Sequence, residues 1–265
     1  MTLEIYDASG SLCSHKVKLV LAEKNLKWKS HSINLLTFEN LQPSYMQLNP
    51  KGVVPTLLHD NRVITDSATI IRYLEEQFPH PQLIPAEPVL QEKMEFWIDL
   101  QNRFPMRELM YGNYRGIEGV VLRRSVQMKE KLLSKLMQAN PELKELYVAK
   151  LDDVIQWNRT IQNANEIANL NAKIESMLDQ LETQLSQTNW LCGNQYSLAD
   201  TVWTAVLNRL DELKFGHLWA DRTRPALSSY LNHLKLRSSF DTAIQSDRMP
   251  LPMLLAGLRK VFLSI

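Results

Sequence analysis

The residue pattern of this chain changes character once, near residue 80. Before that point, short runs of alternating apolar and polar residues interleave with helical stripes; after it, apolar residues recur at spacings of three and four. Four prolines, Pro79, Pro81, Pro85 and Pro88, lie at the change and stop a helix from running through it. A chain divided in this way is expected to fold as a small α/β unit joined to an all-helical one. The boundaries fall at 1–80 for the first unit, 81–90 for a linker, 91–248 for the helical unit and 249–265 for a C-terminal apolar helix.

Inside the first unit, Leu3-Glu4-Ile5-Tyr6 alternates as a strand does, and Val17, Leu19, Val20, Leu21 and Ala22 begin a helical stripe. Trp28, Ser30, His31 and Ile33 mark a second strand within 28–35, and residues 45–50 a helical turn closed by Pro50. Residues 52–59 lead from a loop into a third strand, Asp60-Asn61 turns the chain, 62–65 returns it, and 67–77 forms a helix burying Ile70, Ile71 and Leu74. Helices are predicted over 91–110, 120–137, 142–158, 166–185, 198–214 and 227–245.

With 265 residues, 45% of them hydrophobic, the chain can bury a core without staples. A net charge of +1 provides no electrostatic footprint for nucleic acid, and Arg123, Arg124, Lys129, Lys131 and Lys135 read as a solvated helix face. The two cysteines, Cys13 and Cys192, lie far apart in sequence, which argues against a disulfide scaffold or a zinc site; no metal is expected, and a reducing cytoplasm fits. The N-terminus lacks the basic segment and apolar run of a secretory leader, and no apolar stretch nears the ~20 residues that cross a bilayer.

Three features of the first unit converge on one chemistry. Ser11-Leu12-Cys13-Ser14-His15-Lys16-Val17 sits where a strand gives way to a helix, and the free N–H groups and positive dipole end there favour an anion, a thiolate included. Ser11 or Ser14 can also serve simply as an N-cap. In Val54-Pro55, a cis peptide would turn the Val54 backbone outward to pair with an extended peptide. Asp66-Ser67, at the start of the next helix, can receive a carboxylate and pair with an ammonium, the two charges of an α-amino acid group, or act only as a cap.

The blocks from Ser11 to Leu21, Asn49-Pro50-Lys51-Gly52-Val53-Val54-Pro55-Thr56-Leu57 and Thr65-Asp66-Ser67-Ala68-Thr69-Ile70-Ile71-Arg72-Tyr73-Leu74-Glu75 resemble, in order and spacing, the glutathione transferase superfamily. Trp190-Leu191-Cys192-Gly193-Asn194-Gln195-Tyr196-Ser197-Leu198-Ala199-Asp200 resembles the capping-box motif of its helical domain, with Ser197 and Asp200 exchanging bonds across a buried helix start. The resemblance implies an α/β thioredoxin-like domain followed by an all-α domain, with glutathione as cosubstrate. It further implies that Ser11 donates a hydrogen bond to the glutathione thiolate, that Val54 pairs with the cysteinyl backbone beside a cis Pro55, that Asp66 and Ser67 hold the γ-glutamyl end, and that Lys51 approaches the glycine carboxylate. Lys51 can equally be an exposed loop lysine.

The turn is most similar to the zeta type, and its serine favours conjugation over disulfide exchange; Cys13 complicates this, either as a mixed-disulfide former or as a thiol packed under the helix. Asn140-Pro141-Glu142-Leu143 and Tyr147-Val148-Ala149-Lys150, within a long middle from 115 to 167, resemble the ganglioside-induced differentiation-associated branch and, more loosely, the tetrachlorohydroquinone-dehalogenase-like branch. Members of the first branch conjugate common electrophiles poorly and end in a membrane anchor. Here residues 251–265 are too short to span a bilayer and would cap the electrophile pocket or core, or lie at a membrane surface. Residues 106–114 and 203–210 are candidates to line that pocket.

The expected activity is that of a glutathione transferase attacking a small hydrophobic electrophile, in a two-fold dimer. The alternatives are a glutathione-dependent thiol reductase or reductive dehalogenase using Cys13, and a non-catalytic binding module.

Overall fold

The computed structural model describes residues 2–113, 116–220 and 222–263. Strand β1 (Leu3–Asp7) leads through a tight turn into α1 (Leu12–Glu23). There follow β2 (Lys29–Ser32), α2 (Pro43–Leu48), β3 (Thr56–His59), β4 (Arg62–Thr65) and α3 (Ser67–Gln77). The sheet order is β2-β1-β3-β4, with β2 parallel to β1 and β3 antiparallel to both β1 and β4. In this register Ile5 faces Leu57, and these two pack with Val17, Val20, Ile70, Ile71 and Leu74 of α1 and α3. This is the thioredoxin-like arrangement expected from the strand and helix order.

The helical unit comprises α4 (Pro88–Asn102), α5 (Met106–Asn113), α6 (Gly116–Ala139), α7 (Lys144–Gln162), α8 (Ala164–Leu185), α9 (Leu198–Glu212) and α10 (Pro225–Lys235). The single helix expected over 91–110 is two helices, α4 and α5. Pro105 has no N–H to donate and disfavours helical geometry at Phe104, so the apolar periodicity continues across a break in the backbone. The helix expected over 227–245 ends at Lys235, because Arg237 takes an extended backbone and its guanidinium is pinned to both carboxylate oxygens of Glu23 at 2.7 Å. The short turns Ser238–Phe240 and Asp241–Gln245 complete that segment.

Helix α9 runs through the centre of the helical unit and is buried over most of its length, with Trp203 donating its Nε1–H to the Trp97 carbonyl at 2.9 Å. Its start is the expected capping box: Asp200 Oδ2 accepts from Ser197 N at 2.8 Å, while Asp200 Oδ1 accepts from Leu191 N at 2.9 Å and from the Tyr230 hydroxyl at 2.7 Å. Burial raises the Asp200 carboxyl above its ordinary range despite those bonds, and pushes the Cys192 thiol up to about 11, so Cys192 is an inert packing residue. Tyr196 stacks edge-on against Trp190 at 5.1 Å and lies under the Arg237 guanidinium at 3.6 Å.

Helices α6 and α7 pack together around Val126, Leu133, Val154 and Trp157, and reach the first unit through Phe38, Leu41 and Met46. The Tyr147 hydroxyl donates to the Leu41 carbonyl at 3.0 Å, so the long middle is fastened to the thioredoxin-like unit. The C-terminal helix (Leu251–Leu263) leans on Leu36, where a side chain at Gly257 would collide, while Leu251, Leu254, Leu255 and Leu258 stay exposed. Among the described residues, no helix is long and apolar enough to cross a membrane.

Candidate functional site

The β1–α1 turn is built by caps at several levels. Gly10 takes a left-handed backbone (φ +72), and Ser11 N donates to the Ala8 carbonyl at 3.0 Å. Ser11 is the N-cap, its Oγ accepting from Ser14 N at 3.4 Å. That bond uses a lone pair and leaves the hydroxyl proton free to donate, so capping and thiolate binding are compatible roles of one side chain. Ser14 is wholly buried and spends its Oγ on Ala8 N at 3.3 Å. Ser11 and Cys13, but not Ser14, line a cavity of about 620 Å³ between the two units.

A buried ionic clip fastens this turn from the far end of the chain. Asp247 accepts from Gly10 N at 3.2 Å, from His15 Nε2 at 2.8 Å and from Lys18 Nζ at 2.9 Å, and Lys18 also pairs with Asp7. Burial alone would raise the Asp247 carboxyl, but the bonds from His15 and Lys18 outweigh it and hold the group at about 2. Lys16, itself buried, lies within Coulombic reach of both Cys13 and Asp66; burial lowers its pKa, and those two groups oppose the drop.

The second feature is held as firmly. Val54-Pro55 is a cis peptide. The Val53 carbonyl is taken by Tyr45 Oη and Asn49 Nδ2, both at 2.8 Å, and the Gly52 carbonyl by Asn40 Nδ2 at 2.7 Å. Gly52 is required, since φ is +56 and a Cβ would stand 2.7 Å from the Met46 sulfur. Among the described residues, Val54 N–H and C=O have no hydrogen-bond partner, as a peptide-pairing position needs.

In the third feature, Asp66 caps α3, its Oδ1 accepting from Ala68 N at 3.0 Å and Thr69 N at 3.3 Å from a backbone with φ +75. Its other oxygen takes no hydrogen bond among the described residues. Ser67 is buried at the first turn of the same helix. Neither they nor Pro55 line the main cavity.

The opposite wall comes from the helical unit. Met106, Met110 and Tyr111 of α5 line the cavity as expected, whereas Leu109 turns into the core and Tyr114 lies outside the described residues. The expectation for 203–210 fails: α9 lies inside the protein core, with Trp203, Val206, Leu207 and Leu210 fully buried, and none of these residues reaches the cavity. In their place stand α6 and α7, through Leu122, Ser125, Lys129, Lys150, Asp153, Val154 and Trp157. Lys129 therefore departs from the solvated face on which Arg123, Arg124, Lys131 and Lys135 remain exposed. Burial lowers its pKa to about 8, with the neighbouring charges of Lys150 and Arg107 adding to the effect.

Lys129 and Asp247 escaped the sequence reading, though one signal for the first was available: Trp157 four residues before Ile161 on an apolar stripe offers a ring on which a cation can rest. Lys51 is exposed and lines an adjoining recess of about 550 Å³ with Pro50 and Val53.

A thioredoxin-like sheet joined to a helical unit, with a cavity at the α1 N-terminus and an unpaired backbone beside a cis proline, places the chain among two-unit proteins built on a thioredoxin-like domain. Residues 10–77 match the glutathione S-transferase N-terminal domain family, and residues 164–233 the glutathione S-transferase C-terminal domain family. The chain is 30% identical to tetrachloro-p-hydroquinone reductive dehalogenase of Sphingobium chlorophenolicum, over 91% of this chain and 95% of that one. It is 26% identical to human ganglioside-induced differentiation-associated protein 1-like 1, over 90% and 72%. The crystal structure of the beta-etherase LigF from Sphingobium sp. superposes with a TM-score of 0.74 at 25% identity, covering 92% of this chain and 98% of that one. The chain belongs to the glutathione S-transferase superfamily, and glutathione is its cosubstrate.

Proposed function

We propose that this protein is a glutathione transferase in which Ser11 stabilises the glutathione thiolate for attack on an electrophile lodged among α5, α6 and α7. The observation that carries the reading is the shared cavity: the uncommitted Ser11 hydroxyl stands in one wall, and the apolar surfaces of Met106, Tyr111, Leu122 and Trp157 form the other. Thiolate binding at a helix start lowers the thiol pKa towards neutrality, because the anionic form gains the N–H groups, the dipole and the hydroxyl bond. Val54 would hold the cysteinyl backbone beside cis Pro55, and the free oxygen of Asp66 with Ser67 the γ-glutamyl end. A two-fold dimer is the assembly we expect, and a reducing cytoplasm suits the two free thiols, Cys13 and Cys192.

A second reading is favoured by Cys13 in the same wall and by the dehalogenase relative. The Cys13 thiolate would attack the sulfur of a glutathionyl aromatic, releasing the protonated aromatic and leaving a Cys13-glutathione disulfide. A second glutathione would then clear it as glutathione disulfide.

Two variants separate the readings. Ser11→Ala is expected to lower kcat/KM with a chlorodinitrobenzene by roughly a hundred-fold and to raise the pKa of bound glutathione, read from thiolate absorbance. Cys13→Ser should leave that conjugation in place. If Ser11→Ala is silent and Cys13→Ser abolishes turnover, the reductase reading replaces the transferase one.

A further inference from the structure

The helical wall of the cavity carries more positive charge than an apolar electrophile needs. Arg107 and Lys150 reach Asp153 at 3.4 and 3.8 Å, and Arg107 also reaches Glu108 at 3.2 Å. Lys129 has no carboxylate within 4.0 Å among the described residues and rests over the Trp157 ring at 5.6 Å. The Trp157 indole is buried, and its Nε1–H has no acceptor among the described residues. A buried donor without a partner is uncommon, and here it belongs to a residue of the same cavity wall as an ammonium that no carboxylate contacts directly, Asp153 acting on it only at longer range. The Tyr111 ring stands edge-on to Trp157 at 4.6 Å, adding an aromatic surface beside the two donors.

We infer that Lys129 and the Trp157 indole N–H form a subsite for an anionic substituent, a carboxylate or phenolate, on an aromatic electrophile. The inference rests on the transferase reading and names the substrate class it takes: a ring seated among Tyr111, Trp157 and Leu122, with its anion on Lys129 and its leaving group directed towards Ser11. Burial lowers the Lys129 pKa to about 8, and a bound anion would favour the charged form. The glycine carboxylate of glutathione is the competing occupant. Its expected neighbour Lys51 lies in the adjoining recess, whose wall includes Arg107 and Lys150 but neither Lys129 nor Trp157. In the reaction, the thiolate sulfur forms a bond to the ring carbon carrying chlorine, the carbon–chlorine bond breaks, and chloride leaves with the electron pair. The distant carboxylate is unchanged, and no oxidant or reductant is required.

The test compares 4-chloro-3-nitrobenzoate with its neutral carboxamide at saturating glutathione, alongside calorimetric binding of the unreactive 3-nitrobenzoate and 3-nitrobenzamide. Relative to each compound's uncatalysed rate with glutathione, the wild-type protein should prefer the acid by roughly ten-fold in kcat/KM, and by a similar factor in binding, and Lys129→Met should erase that preference while the KM for glutathione stays within about two-fold. Trp157→Phe, which keeps a ring and removes the N–H, should lose part of the preference, and Lys129→Gln serves if the methionine variant folds poorly. Equal treatment of acid and amide by the wild type overturns the subsite. So does a Lys129 variant that raises the glutathione KM instead, which would seat the glycine carboxylate there. If 3-nitrobenzoate binds in a Lys129-dependent way yet nothing is conjugated, the subsite stands and the transferase reading falls.

Discussion

The two walls of the cavity are made in different ways. The Ser11 wall consists of short segments held by local caps: the Gly10 turn, the Ser11 cap, and the Gly52 and Val53 carbonyls taken by Asn40, Tyr45 and Asn49, with the Val54 backbone and the buried Asn40 Oδ1 left without a partner among the described residues. The opposing wall consists of side chains projecting from long helices, among which the Trp157 N–H and the Lys129 ammonium lack counterparts. A backbone fixed by local caps suits a ligand that never changes, such as the glutathione tripeptide. Projecting side chains on α6 and α7 suit a ligand whose identity can drift by substitution without disturbing the fold.

This contrast predicts that stability resides on the Ser11 side. Asp247→Asn removes the charge that serves Gly10 N, His15 and Lys18, leaving Lys18 paired only to Asp7. We expect a loss of about 1–3 kcal/mol in urea unfolding near neutral pH, with turnover reduced as the turn ahead of Ser11 loosens. Because the folded Asp247 titrates at about 2, below its unfolded value, its stabilisation is present above about pH 4 and disappears as pH falls towards 2. The gap between wild type and variant should therefore close over that interval. Lys129→Met, on the other wall, should cost no stability, since burial already disfavours the charged amine. If both variants lose equal stability, the contrast between the walls does not hold.

The same difference explains what could be read in the sequence. The Ser11 turn, Val54-Pro55, Asp66 and the Ser197–Asp200 capping box are local patterns in which the determining residues lie within a few positions of one another, so their spacing is visible. The clip is not: Asp247 meets His15 across 232 residues, and nothing in the segment around it signals a partner. Lys129 shares its helix with four exposed cations, and only the packing of α6 on α7 separates it from them. Residues 203–210 have the apolar stripe of a pocket lining, but the same stripe is equally suited to the core, and the core is where α9 lies. The break at Pro105 was hidden because the apolar spacing resumes in phase beyond it.

A pH profile sharpens the contrast at intermediate size. As pH rises through about 8, Lys129 loses its proton and with it the attraction for an anion. The other groups facing it are Lys150, lowered by burial; Tyr111, raised by burial; Arg107; and Asp153. Binding of 3-nitrobenzoate should weaken roughly five- to ten-fold between pH 7 and 9, while the amide binds evenly across that range. A parallel decline in the amide would assign the change to the fold instead of to the ammonium.

The smallest effect is expected at Lys51. It is an exposed loop lysine, and no carboxylate pairs with it among the described residues. A glycine carboxylate in the adjoining recess would already have Arg107 and Lys150 beside it, so Lys51 would add one solvent-screened contact to a site that has two other cations. Lys51→Ala should therefore raise the KM for glutathione by no more than about two- to three-fold and leave kcat unchanged, with the modest effect fading as salt is added. A salt-insensitive rise of ten-fold or more would mean that Lys51 folds down onto the carboxylate and excludes water. In that case the constant ligand would depend on a projecting side chain after all, and the division of labour between the two walls would have to be redrawn.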